Sequence, residues 1–92
     1  MGSFGAYIRD KRKKLGLPLR KVAPELDVDT SILSKIERDE RKATKEMLPI
    51  LTDTLELSQK EIQIKFIQST IISELGDLKY LSDGIKTVLK KI

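Results

Sequence analysis

Neither cysteine nor histidine occurs in this chain of 92 residues. The first absence rules out disulfides and thiolate metal sites. The second removes the usual metal ligand and the usual general base at neutral pH. No glycine-rich phosphate loop is present either. An enzyme would be left with carboxylates such as Glu37 and Glu40, which more simply pair with a nearby Arg or Lys. The expectation is therefore a non-enzyme with no metal, no cofactor and no evident small-molecule ligand. No apolar run approaches the roughly 20 residues a membrane helix needs. No signal-peptide pattern precedes the first helical segment, so a cytoplasmic protein is expected. Proline and glycine are scarce, at three and five, and apolar residues recur at helical rather than alternating spacing. The expected class is all-α, in one small domain whose single core is only marginally stable.

What the chain does have is charge, unevenly placed. The net charge is +4 and the pI about 9.4. From Met1 to Lys42 there are 11 Lys and Arg against 7 Asp and Glu, whereas the remainder carries 7 of each. The whole excess lies in the first half, as expected if one face meets a polyanion.

Ser3 is a suitable cap for a first helix, FGAYIRDKRKKL, stopped by Gly16. Phe4, Tyr7, Ile8 and Leu15 belong on its inner side, and Arg9, Lys11, Arg12, Lys13 and Lys14 on its outer side. That basic cluster has two readings, complementing the helix macrodipole and contacting phosphate. A second helix is predicted over Leu19 to Leu26 and a third over Thr30 to Arg38, capped by Asp29. RDERKA reads as a loop. Thr44 should cap a fourth helix, in which Pro49 is an awkward fit if the helix begins at Lys45. Ser58 opens SQKE, a capping box for a long fifth segment.

The stretch LRKVAPELDVDTSILSKIE joins two short helices through DVD. So few residues force a steep crossing around one packed corner, into which Val22, Leu26, Val28, Leu33 and Ile36 are spaced to point. Small Ala23 permits close approach. The opposite side of the later helix carries Thr30, Ser31, Ser34, Lys35 and Arg38, polar and free of carboxylates, as a surface entering a major groove must be.

These residues resemble the helix-turn-helix of the lambda-repressor-like (Xre/Cro) family. The likeness extends from FGAYIRDKRKKLGL through ILSKIERDER to EMLPILTDTLELS, roughly the first 60 residues. It implies a five-helix domain, binding to a double-stranded DNA operator as a dimer, and a role in transcription. By the same likeness Thr30, Ser31 and Lys35 face bases, while Ser34, Arg38 and Arg41 make phosphate or flanking contacts. Leu19 stands where the family often has a glutamine that touches DNA, so Arg20 is expected to supply the phosphate contact, with Lys21 beside it. Asp27 replaces the turn glycine, and Pro24 removes a hydrogen bond from the second helix.

The last third carries another pattern. Ile64, Ile67, Ile71, Leu75, Leu78, Leu81, Ile85, Val88 and Ile92 fall close to a heptad, with Gly76-Asp77 as a potential break. The expected organisation is a DNA-binding domain over residues 1–58 and a helical extension over 59–92. Within the extension Ile71, Leu75, Leu78, Leu81, Ile85 and Val88 form a homodimer seam. A controller-type regulator, as in restriction-modification operons, is the favoured form. The alternative is an antitoxin whose apolar stripe covers a toxin.

Overall fold

A computed structural model describes residues 3–92, and the elements among them are all helical. In order they are α1 (Phe4–Lys14), α2 (Leu19–Val22) with a 3₁₀ turn (Ala23–Leu26), α3 (Thr30–Glu37), α4 (Met47–Thr54), α5 (Gln59–Leu75) and α6 (Leu81–Leu89). The caps are local chemistry. The Ser3, Asp29 and Ser58 side chains accept from the N–H groups of Ala6, Ile32 and Glu61, each three residues on.

Four helical segments end in one way. Gly16, Asp27, Asp39 and Glu56 all have left-handed φ, between 55° and 69°. In each case the next residue's N–H reaches back five positions, as from Val28 to Ala23 and from Glu40 to Lys35. This is the hydrogen bonding of a Schellman-type stop, usually built on glycine. Asp27 does occupy the left-handed bend, which costs an L-residue about 1–2 kcal/mol, less for Asp.

Two prolines correct the predicted boundaries. A single helix to Leu26 would need an N–H at residue 24, which Pro24 lacks. The chain instead tightens into the 3₁₀ turn, where the Pro24 carbonyl accepts from Asp27 at 3.0 Å. The fourth helix begins at Met47 rather than after a Thr44 cap. Pro49 is then its third residue, in the first turn, where N–H groups have no helical partner anyway.

The core comprises Phe4, Ile8, Val22, Ala23, Leu26, Leu33, Ile36, Leu48, Leu51, Leu55 and Ile62. Each fully buried Leu or Ile contributes about 1.5–3 kcal/mol relative to exposure. Leu15, expected inside, lies beyond the last helical turn and is 40% exposed. The first half of α5 closes the core. Ile62 has no exposed surface, the Phe66 ring meets Phe4 edge-on at 5.4 Å, and the Ser69 hydroxyl accepts from Phe4 N–H at 2.9 Å. A division at residue 58 thus cuts through packing, and only the chain beyond about residue 70 leaves the core. Gly76 interrupts the heptad at the foreseen break, and no α6 residue is buried.

Candidate nucleic-acid interface

The position of α3 is set from behind. Arg12, at eight residues from Phe4 and four from Ile8, shares their inward face and is buried. Its Nε and Nη2 donate to the two Glu37 oxygens at 2.7 and 2.9 Å, and its Nη1 donates to the Leu17 carbonyl at 2.8 Å. This bidentate pair locks the last turn of α3 to α1. The hydrogen bond to Glu37 raises the Arg12 pKa above its ordinary value, against the opposing effect of burial. Arg12 is thus not on the outer face and is unavailable to phosphate.

Gly5 completes the contact. A Cβ there would lie 2.3 Å from the Ile36 carbonyl oxygen and 2.7 Å from that of Glu37. Asp39, turned back by its left-handed φ, accepts from Gly5 N–H at 3.2 Å and bonds the Ser3 hydroxyl. The two helices therefore meet at backbone distance.

With Leu33, Ile36 and Glu37 buried, the other side of α3 faces outward. Thr30, Ser31, Lys35 and Arg38 are exposed and Ser34 is half-buried. At 100° per residue these five span about 140° of the circumference, and no carboxylate of α3 lies among them. Among the described residues, none of the Thr30, Ser31 and Ser34 hydroxyls is tied up in an intramolecular hydrogen bond. Arg20 and Lys21 are exposed on α2. Among the described residues, Arg20, Lys21, Lys35 and Arg41 make no ion pair, whereas Arg38 meets Glu40 at 3.0 Å. Arg41 stands apart from the α3 face, on the following loop, bordering a cleft with Ile36, Phe66 and Thr70.

The basic run on α1 is mostly occupied. Lys14 pairs with Asp10 at 3.2 Å, and Lys11 with Glu61 at 3.8 Å. Lys11 also lies 5.6 Å from the Tyr7 ring centroid. The Tyr7 hydroxyl is buried without a closed hydrogen bond. Burial first, and then the neighbouring Glu61 carboxylate, push its pKa up to about 12.

The residues expected at a subunit seam remain at the surface. Ile71, Leu81 and Ile85 are half-buried, and Leu75, Leu78 and Val88 are exposed. Among the described residues no acidic cluster is arranged to hold a metal, and no helix is long and apolar enough to cross a membrane.

Two short helices at a tight turn, the second held rigidly behind and bare in front, define a helix-turn-helix domain. A family model for the helix-turn-helix matches residues 8–62. The chain belongs to the lambda-repressor/Xre-like helix-turn-helix family, whose domain is a DNA-binding regulator module rather than an enzyme. No curated protein and no solved structure matches the chain.

Proposed function

We propose that the protein is a sequence-specific transcriptional regulator that binds a palindromic DNA operator as a homodimer. The carboxylate-free face of α3 carries this reading. Placed in the major groove, Thr30, Ser31 and Lys35 reach base edges, and Lys35 suits the O6 and N7 acceptors of guanine. Arg20, Lys21, Ser34, Arg38 and Arg41 hold phosphates on either side and fix the register. The exposed stripe from Ile71 to Val88 supplies the subunit contact. A DNA-binding domain joined to a helical association segment suits the controller type of regulator found in restriction-modification operons. The same exposed stripe supports a second reading, an antitoxin covering a toxin; a stable dimer without any partner favours the first reading, and an aggregating or monomeric chain favours the second.

The test is a salt titration of duplex binding. A dimer with about six to ten phosphate contacts should lose roughly 10³- to 10⁵-fold in affinity between about 50 and 200 mM salt. A nearly flat titration contradicts the proposal.

A further inference from the structure

A groove of about 770 Å³ runs between α4 and α5, walled by Leu48, Pro49, Ile62, Phe66 and Ile67. Its rim carries Glu46 and Asp53 against a single cation, Lys45. No residue of α6 lines it, so the chain's own last helix leaves the groove open. Meanwhile α6 has an apolar face that the chain covers only in part, Leu81 and Ile85 being half-buried and Val88 and Leu89 exposed. Leu81, Ile85, Val88 and Leu89 fall within about 100° of its circumference. Lys86 stands on one flank of that stripe and Lys91, just past the helix end, on the other. Val88 and Leu89 are 55% and 62% exposed.

We infer that α6 of one copy seats in the α4–α5 groove of a second copy, and reciprocally, so that the dimer is built by exchange of its last helices. The inference rests on the homodimer proposed above and names the surfaces that make it. Three observations favour a second copy as occupant. The lengths agree, since the nine residues of α6 and the eight of α4 extend about 13 and 12 Å. The charges agree, a lysine-flanked stripe meeting an acidic rim. The apolar surface is also continuous, because Ile67 in the groove leads along α5 through Ile71 to Leu75. None of residues 71–92 is buried within the chain. A reciprocal contact of this kind closes as a two-fold dimer and leaves no open edge.

A charge swap on the full chain tests the exchange. One variant carries Glu46→Lys and Asp53→Lys in the groove rim, the other Lys86→Glu and Lys91→Glu on α6. All four side chains are exposed, and circular dichroism checks that each variant keeps the fold. By sedimentation equilibrium each variant alone should dimerise about tenfold or more weakly, because every rim pair turns repulsive in both equivalent contacts. An equimolar mixture should recover wild-type association, since in the heterodimer both contacts again join opposite charges. Each variant should bind a single half-site as the wild type does, the changes lying away from α3. If the wild type dimerises and the rim variant does so equally tightly, or if mixing restores nothing, the exchange is overturned while the dimer stands. A wild-type chain that stays monomeric overturns both.

Discussion

Removing Arg12 tests how α3 is held. The guanidinium makes two hydrogen bonds to Glu37 and one to Leu17, at 2.7–2.9 Å. The Glu37 side chain is only 3% exposed. Arg12→Met therefore leaves a carboxylate buried without its partner, a situation that costs about 3–5 kcal/mol. Small domains are stable by about 5–15 kcal/mol in all, so roughly a fifth or more of the stability goes. With a urea dependence of about 1–1.5 kcal/mol per molar, the unfolding midpoint should fall by roughly 2 M or more. Glu37→Leu should be similarly costly, because it leaves the guanidinium buried and unpaired. The double variant removes both charges and strands only the Leu17 carbonyl, so it should lie within about 1–2 kcal/mol of wild type. Urea denaturation of all four proteins gives the coupling energy. Additive losses, or single losses under about 1 kcal/mol, would refute the view that a buried pair clamps α3 to α1.

Gly5→Ala should cost at least about 1–3 kcal/mol, since its Cβ must push against the Ile36 carbonyl at 2.3 Å; thermal unfolding measures this, and an unchanged midpoint would show that α1 and α3 are not in backbone contact. Tyr7→Phe should stabilise the fold by about 1 kcal/mol at neutral pH, because it removes a buried hydroxyl without a hydrogen bond. The folded-state pKa of Tyr7 is raised from 10.0 to about 12, so the folded state holds this proton longer than the unfolded one. Ionisation of this tyrosine therefore leaves stability unchanged below pH 10 and lowers it as pH rises from 10 toward 12. Wild type should therefore lose stability over that window more steeply than Tyr7→Phe, and parallel pH profiles would contradict the assignment.

Much of this architecture is legible from residue type and spacing. Ser3, Asp29 and Ser58 announce helix starts because capping involves only neighbours three residues apart. The outward face of α3 follows from periodicity, and Asp27 could be placed in the bend because its side chain tolerates left-handed φ. Arg12 was hidden within four consecutive basic residues, where composition suggests a solvated face. Its signal was positional: Phe4, Ile8 and Arg12 recur every four residues, so the arginine continues the buried stripe. Gly5 and Asp39 carry no local signature, since their roles depend on where α1 crosses the end of α3. The 3₁₀ turn at Pro24 and the late start of α4 before Pro49 are responses of the backbone to missing N–H groups, settled by packing. A boundary near residue 58 leaves out Ile62 and Phe66, which lie off the heptad positions and face the core. For the proposed DNA contacts the sequence and the structure supply the exposed side chains, and which of them meet base edges depends on the duplex bound.

Selection of binding sites from random duplexes, by wild type, Lys35→Ala and Arg20→Ala, most directly tests the central claim that the outer face of α3 reads DNA. Wild type should select paired half-sites about 34–36 Å apart or a multiple of that. Lys35→Ala should cost about 1–3 kcal/mol per half-site on the preferred sequence and relax the preference at one base pair in each half. Arg20→Ala should weaken binding to all sequences alike and leave the selected motif intact, because a phosphate contact carries no base information. An unchanged motif for Lys35→Ala, together with a rewritten one for Arg20→Ala, would contradict the assignment of the reading face.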